Sequence, residues 1–207
     1  MVFLKKHSIL LLVITLITSQ NLLAQNNDLI SAFSKSYEYE TEGEYQSAIT
    51  ELKNVYDEKS YEINMRLGWL SYNAGLFSQS IIYYRTAINL MPYSEEAKFG
   101  LTYPASAAGK WDIVLNTYKK ILENSPNNTT ANYQIGLIYY GKQKYSEAYK
   151  HFKIVVDLYP FDYDGLLMFA WTNFQLGKYR EAKVLFNKVL LLSPNDASAL
   201  EGLGLIK

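Results

Sequence analysis

The sequence offers few side chains that could carry out covalent or metal chemistry. It contains two histidines, His7 and His151, and no cysteine, which excludes thiolate ligands, a cysteine nucleophile and disulfides. His151 has no histidine or cysteine at a metal-ligand spacing, so we interpret it as a structural histidine. The sequence has no Gly-x-Ser-x-Gly element and no phosphate-binding loop. We therefore predict no catalytic residue, no metal site and no cofactor, and a chain that is not an enzyme.

Three aspartates near Pro160 could in principle supply oxygen ligands to calcium. They are Asp157, Asp162 and Asp164. A calcium loop needs alternating oxygen ligands and a central glycine, and both are missing here. Aspartate is also a preferred residue at the start of a helix, where its carboxylate accepts a backbone N–H. We therefore predict that Asp162 and Asp164 cap a helix.

Noncovalent recognition is the chemistry for which this composition is better suited. The chain has 19 Tyr, 9 Phe and 3 Trp among its 207 residues. Tyrosine can bury its ring while its hydroxyl stays in water, which suits half-buried surfaces and binding faces. Basic and acidic residues both number 20, so the chain lacks the basic excess of a nucleic-acid-binding protein. We expect a protein or peptide partner and no nucleic acid.

Residues 1–24 differ in character from the rest of the chain. Lys5 and Lys6 give a basic start, an apolar run covers residues 8–18, and Ala24 ends the segment. This order is typical of a secretory signal peptide, and the run is shorter than the roughly 20 residues of a membrane span. We therefore expect an exported chain, with the periplasm as its location and no stable membrane span after cleavage. An uncleaved N-terminal anchor is the alternative.

A repeat of fixed length organises the rest of the chain. Prolines recur every 34 residues, at Pro92, Pro126, Pro160 and Pro194. In the unit that starts at Thr129, Ile135 and Tyr139 lie on one face of a first helix. Ala148 and Phe152 lie on one face of a second helix, which the proline ends because it has no N–H to donate. A period of this length predicts stacked helix pairs, each burying its apolar face against its neighbours.

These residues resemble the tetratricopeptide repeat (TPR) family over roughly residues 29–207. The large residue followed by a small one appears as Leu67-Gly68, Ile135-Gly136, Phe169-Ala170 and Leu203-Gly204. The small residue of the second helix appears as Ala48, Ser80, Ala148 and Ala182. The aromatic residue after it appears as Tyr84, Tyr118, Phe152 and Phe186. The resemblance, to the exported bacterial type, implies an all-α fold, a TPR-type α-solenoid of antiparallel helix hairpins.

We predict a signal peptide at residues 1–24 and a TPR array at residues 25–207. The predicted units are about 29–60, 61–94, 95–128, 129–162 and 163–196, followed by an incomplete unit at 197–207. For the incomplete unit we expect that the chain is a fragment or that this helix is its own cap. A helix that seeks a partner is a third interpretation.

The resemblance also implies which side chains face a partner. In TPR proteins the first helix of each hairpin lines a concave groove, and here those positions are rich in aromatic residues. The candidate partner-binding residues are Met65, Trp69, Tyr72, Phe99, Tyr103, Tyr133, Tyr140, Trp171 and Phe174. Trp, Tyr and Met are residue types that carry binding energy at interfaces, and Glu62, Glu96 and Asp164 give the groove an acidic rim. A competing interpretation is that some of these rings pack between first helices as core.

Our leading hypothesis is a non-catalytic scaffold that binds a protein or peptide partner of the cell envelope through this groove. TPR domains that bind chaperone tails hold a terminal carboxylate with a basic clamp, one of whose positions is occupied here by Met65, Phe99, Tyr133 and Leu167, so that specificity is not expected. Two alternatives are a glycan-binding envelope protein, with Asn73 and Gln175 as polar contacts, and a structural subunit that forms homo-oligomers through its C-terminal helix.

Overall fold

The computed structural model describes residues 27–206, so the predicted signal peptide lies outside the described residues. Within this range the chain forms helices and no strand. The helices are α1 (residues 27–41), α2 (Tyr45–Asn54), α3 (Tyr61–Asn73), α4 (Phe77–Leu90), α5 (Glu95–Ala107), α6 (Trp111–Asn124), α7 (Thr129–Gly141), α8 (Tyr145–Leu158), α9 (Tyr163–Gln175), α10 (Tyr179–Leu192) and α11 (Ala197–Leu205). We call the odd-numbered helices first helices and the even-numbered ones second helices. In the described part of the chain, none of them has the length and apolar character needed to cross a membrane.

The described residues divide into two compact units, the first ending at Ala108 and the second beginning at Gly109. In the first unit α3 packs against α2, α4 and α5. In the second unit α7 packs against α6, α8 and α9, and α10 packs against α9 and α11. Because consecutive packed helices are joined by short turns, they run antiparallel. The predicted all-α fold of antiparallel helix hairpins is confirmed.

Each first helix from α3 onward begins with a side-chain cap. The cap accepts a hydrogen bond from the backbone N–H three residues later, which the helix itself leaves unpaired. The caps are Ser60, Ser94, Asn128, Asp162 and Asp196, at donor–acceptor distances of 2.7 to 3.2 Å. Asp162 is therefore a cap as predicted. Asp164 is not: it lies in the first turn of α9, where a negative charge favours the positive end of the helix.

The turns that lead into the second helices use backbone conformations that favour glycine. Gly43, Gly75, Gly109 and Gly177 have φ between 68° and 77°. At the corresponding place before α8 the chain has Gln143, with φ of 58°. A residue with a Cβ is strained in this left-handed region. The repeat thus keeps the turn even where it lacks the glycine.

The second helices stop before the prolines that mark the repeat. Helix α4 ends at Leu90, two residues ahead of Pro92, and α8 ends at Leu158, two residues ahead of Pro160. The intervening residue, Met91 or Tyr159, has a ψ of about 80° and is not helical. This follows because the ring of a proline disfavours the helical conformation for the residue before it.

The core of the first unit combines small residues with an aromatic ring. Ala48 and Ser80 are fully buried, and the Tyr84 ring is 2% exposed. This ring lies against two glycines of first helices: a Cβ added to Gly68 would lie 3.0 Å from it, and one added to Gly100 only 2.2 Å. Both glycines therefore make room for the ring.

The second unit repeats this arrangement with phenylalanine. Phe152 and Phe186 are both fully buried. A Cβ added to Gly136 would lie 2.7 Å from the Phe152 ring, and one added to Gly202 would lie 2.3 Å from the Phe186 ring. The aromatic residues of the repeat pattern are thus the core of each hairpin, as the pattern predicts.

Candidate functional site

Three of the predicted partner-binding residues of the first unit form one aromatic cluster. The ring centroid of Tyr72 lies 6.1 Å from that of Trp69 and 5.8 Å from that of Tyr103, and Phe77 adjoins at 6.0 Å. Trp69 is 38% exposed and Tyr103 is 50% exposed. Such distances are those of favourable aromatic pairs. We call Trp69, Tyr72, Tyr103 and Phe77 the Trp69 cluster.

A hydrogen-bond network from α1 holds Trp69 in place. The Trp69 Nε1 donates to Glu40 Oε1 at 2.5 Å, and Arg66 Nη1 donates to Glu40 Oε2 at 2.5 Å. Arg66 Nε also donates to Ser36 Oγ at 3.1 Å, and its guanidinium lies 3.8 Å from the centroid of the Tyr37 ring. Arg66 is only 7% exposed. One carboxylate thus joins a buried guanidinium to an exposed indole, and this fixes the direction in which the Trp69 ring points.

Met65 and Phe99 complete the predicted residues of the first unit, and both are half-buried. Met65 lies one helical turn before Trp69 on α3, and Phe99 one turn before Tyr103 on α5. Residues four apart share a helix face. Each therefore extends the exposed aromatic face of its helix.

In the second unit, Trp171 and Phe174 pack together and against the core. The Trp171 ring lies 5.6 Å from Phe174 and 5.1 Å from the buried Phe186. Its Nε1 donates to Ser198 Oγ at 2.8 Å, and Phe174 lies 5.4 Å from Tyr179. Trp171 therefore supports the packing of α9 against α10 and α11 and is also partly exposed.

Tyr133 and Tyr140 belong to two other places in the second unit. Tyr140 is half-buried with its ring 5.3 Å from that of Tyr145, and burial raises the pKa of its hydroxyl, partly offset by a hydrogen bond with Gln175. The Tyr133 ring packs edge-on against Phe152 at 5.8 Å. Within the second unit, Tyr140 therefore pairs with Tyr145 and Tyr133 pairs with Phe152.

A cavity of about 280 Å³ opens at the starts of α7 and α9. Its lining residues are Thr129, Thr130, Tyr133, Val155, Tyr159, Asp162 and Asp164. Burial raises the pKa of the Tyr133 hydroxyl, and the nearby carboxylates of Asp164 and Asp162 raise it further. The cavity thus combines two carboxylates with two aromatic rings, and its lining includes no basic residue.

No metal centre is formed by the part of the chain that the structure describes. Residues 27–206 contain no group of three or more His, Cys, Asp or Glu side chains placed to hold an ion. The aspartates near Pro160 have other roles: Asp162 caps α9, and Asp157 accepts a hydrogen bond from Lys153 Nζ at 2.5 Å.

Comparison with protein families decides what this fold is. The tetratricopeptide repeat family matches at residues 130–162 and again at residues 163–196. Residues 130–196 are tetratricopeptide repeats. TPR folds typically lack catalytic activity and support protein–protein interaction, so a protein-interaction scaffold is the class of function that the match supports.

Solved structures share the fold at low sequence identity. A tetratricopeptide repeat protein from Parabacteroides merdae is 22% identical with a TM-score of 0.74, over 86% of this chain and 71% of that one. A MamA segment from Desulfovibrio magneticus is 17% identical with a TM-score of 0.69, over 82% of this chain and 97% of that one. At these sequence identities, the similarity shows a shared fold and nothing more.

One curated relative is a much longer protein. The CTR9 homolog of Arabidopsis thaliana is 24% identical over 131 residues, which is 63% of this chain. The match spans only 12% of that protein's length.

The TPR pattern did not identify the residues that orient Trp69. Glu40 and Tyr37 lie in the first predicted unit, whose helices follow the family pattern weakly. Gly43 corresponds to Gly75 of the next unit, and counting back from it places Tyr37 and Glu40 at the repeat positions of Trp69 and Tyr72. Ser198, which binds Trp171, lies on α11 and carries no family signature.

His151 of α8 packs against Asn132 and Tyr139 of α7. Its Nδ1 lies 2.9 Å from Asn132 Oδ1, and its ring stacks on Tyr139 at 5.8 Å. Asn132 uses its amide N–H groups on the carbonyls of Pro126 and Asn128, so its oxygen accepts from the histidine. Burial, followed by the positive charges of Lys119 and Lys150, lowers the pKa of His151.

Wild type is expected to lose part of its free energy of unfolding as the pH becomes acidic, and His151→Gln is expected to lose less. An unfolded histidine has a pKa of about 6.5, and the folded one is lower. Between these values the unfolded chain binds a proton that the folded chain does not, so stability falls as pH drops below about 6.5 and levels off below the folded pKa. Urea unfolding at neutral and mildly acidic pH measures the difference. If wild type and His151→Gln lose equal stability, the assignment is wrong.

Proposed function

We propose that this TPR protein is a non-catalytic scaffold of the cell envelope that binds a protein or peptide partner through the aromatic faces of its first helices. The observation that carries the proposal is the Trp69 cluster. Its Trp69 and Tyr103 rings are exposed by 38% and 50% although they are large and largely apolar. Exposed rings grouped on one face are the usual anchors of a protein interface.

The orientation of Trp69 supports a binding role over a purely structural one. Its Nε1 is held by Glu40, which in turn is held by the buried Arg66. A ring fixed in advance loses little conformational entropy when a partner covers it. Tyr72 supports the ring from within the same unit.

The envelope location rests on the first residues of the chain. Residues 1–24 have the basic start, apolar run and terminal alanine of a signal peptide. We propose that the chain is exported to the periplasm and that its partner is found there.

Removing the exposed rings is expected to weaken partner capture by about tenfold or more, since hot-spot aromatics cost at least that when truncated. The bait is the tagged chain, and the variant is Trp69→Ala/Tyr103→Ala. Trp111→Ala is the matched control, because Trp111 is 51% exposed but lies on the second helix α6. Envelope extract is passed over all three baits, and the retained proteins are quantified by mass spectrometry.

The outcome separates the candidate functions. A protein retained by wild type and the Trp111 control, but lost from the ring variant, supports the proposal. Equal retention by all three baits contradicts it, provided that circular dichroism finds all three equally helical. Soluble glycan fragments that quench tryptophan fluorescence in wild type, but not in the ring variant, would favour glycan binding instead.

Self-assembly is a second candidate because α11 exposes apolar side chains. Leu200 is 49% exposed and Leu205 is 53% exposed. Sedimentation of the chain alone tests it, with Leu200→Lys/Leu205→Lys as the variant. An oligomer that this variant dissociates would favour a structural subunit.

A further inference from the structure

Positive and negative charges are divided unequally between the two kinds of helix. The whole chain has 20 basic and 20 acidic residues. The acidic residues of α3, α5, α7, α9 and α11 are Glu62, Glu95, Glu96, Asp164 and Glu201. The same five helices contain only two basic residues, Arg66 and Lys98. The balanced total therefore hides an acidic excess on the first helices.

Neither basic residue is open to a partner. Arg66 is 7% exposed and Lys98 is 3% exposed. Arg66 is paired with Glu40, and the Lys98 Nζ donates to the carbonyl of Pro92 at 2.6 Å. In α1, Lys35 is 3.4 Å from Glu51 of α2. The charges that these first helices, α3 onward, present to solvent are thus negative.

The second helices carry the opposite excess. Their basic residues, in α4, α6, α8 and α10, are Arg85, Lys119, Lys120, Lys150, Lys153, Arg180, Lys183 and Lys188. Their acidic residues are Asp112, Glu123, Glu147, Asp157 and Glu181. The acidic excess therefore lies on the first helices and the basic excess on the second helices.

In the first unit, carboxylates adjoin the Trp69 cluster. Glu62 and Glu96 are exposed and lie seven residues before Trp69 and Tyr103. Residues seven apart lie two turns apart on one helix face. The Tyr61 hydroxyl donates to Glu96 Oε2 at 3.3 Å, which brings the starts of α3 and α5 together. Carboxylates and exposed rings thus occupy one face of each helix.

In the second unit, the cavity at the starts of α7 and α9 has the same composition. Asp162 Oδ1 accepts from the Gly165 N–H at 2.7 Å, and the Asp162 side chain lines the cavity. The exposed Asp164 forms no salt bridge with any of the described residues. Tyr133 and Tyr159 add aromatic rings to these carboxylates. An ammonium or guanidinium group is stabilised by both carboxylates and ring faces.

We propose that the partner segment is basic, and that its Lys or Arg side chains dock on the carboxylates and rings of the first helices in each unit. This inference rests on the proposed function, and it adds the chemistry of the partner. Charge complementarity is the reason. From α3 onward the first helices expose carboxylates and rings while their two cations, Arg66 and Lys98, are buried, and such a surface attracts a basic segment and repels an acidic one.

The test uses two short fluorescent peptides, one of lysine and leucine and one with glutamate in place of every lysine. The test variant is Glu62→Gln/Glu96→Gln/Asp164→Asn. The control variant is Asp112→Asn/Glu147→Gln/Glu181→Gln, which removes the same charge from the first turns of second helices. Fluorescence anisotropy at low and high salt gives the affinities. Because both variants lose three first-turn carboxylates, effects on helix stability are matched.

The lysine peptide should bind wild type and control equally, and about tenfold more weakly to the test variant. Its affinity for wild type should also fall with salt. The proposal is overturned if wild type does not bind the lysine peptide at low salt, binds both peptides equally, or if both variants weaken binding equally. A salt-sensitive dimer in sedimentation, dissociated only by the test variant, would identify a second copy as the occupant and also overturn it.

These results are independent of the test of the proposed function. Suppose that an envelope protein is lost from the Trp69→Ala/Tyr103→Ala bait while the two peptides bind equally. The aromatic binding face is then supported, and the proposal of a basic partner is overturned. If the aromatic variant captures its partner normally, the proposed function fails whatever the peptides do.

Discussion

Replacing Glu40 with alanine is expected to lower the free energy of unfolding by about 3 kcal/mol. The change leaves the guanidinium of Arg66, which is 7% exposed, without its ion-pair partner. Breaking a buried ion pair by removing one partner costs about 3–5 kcal/mol. The lower value applies here because the Glu40 side chain is 23% exposed and the pair is only partly buried. Urea denaturation followed by circular dichroism measures the loss.

Glu38→Ala is the matched control for this prediction. Glu38 lies on the same helix but is exposed, so its replacement should change stability by no more than about 0.5 kcal/mol. The double variant Glu40→Leu/Arg66→Met should recover much of the stability that Glu40→Ala loses, because it leaves no unpaired buried charge. An equal, small effect of Glu38→Ala and Glu40→Ala would mean that the pair does not hold α1 to α3.

Replacing Phe152 with alanine is expected to lower the free energy of unfolding by about 3–5 kcal/mol. The ring is fully buried and occupies the space that Gly136 leaves open. Alanine would leave a cavity between α7 and α8, and its cost adds to that of the lost apolar contacts. The same change should loosen Tyr133, whose ring packs edge-on against Phe152.

Phe161→Ala separates this effect from the general loss of an aromatic residue. Phe161 lies in the same unit but is 60% exposed, so its loss should cost no more than about 0.5 kcal/mol. Thermal unfolding of both variants beside wild type gives the comparison. A Phe152→Ala protein as stable as Phe161→Ala would show that the Phe152 ring is not a core element.

Local signals explain why the fold could be predicted from the sequence. Caps such as Ser60 and Asn128, the small residues of the second helices and the prolines after them act over a few residues. Because the repeat presents these signals several times, the structure of a unit that lacks one of them can be predicted from the other units. The Gln143 turn shows this: the glycine is missing, and the turn still forms.

The exposure of individual rings could not be predicted in the same way. Trp69 and Trp171 occupy the same position of the repeat, yet Trp69 bonds Glu40 while Trp171 lies 5.1 Å from Phe186 and bonds Ser198. The difference comes from side chains on other helices, which the family pattern does not specify. Sequence reasoning placed the candidate residues on first helices, which is where they lie, whereas the contacts of each ring required the structure.

The contact between Tyr84 and Gly100 limits the order in which this sequence can change. The nearly buried ring belongs to α4 and the glycine to α5, and a Cβ on the glycine would lie 2.2 Å from the ring. An evolving chain could therefore gain a side chain at position 100 only after position 84 has accepted a smaller residue. In the reverse order, the intermediate sequence would fold poorly. The effect of a mutation at position 100 therefore depends on which residue already occupies position 84.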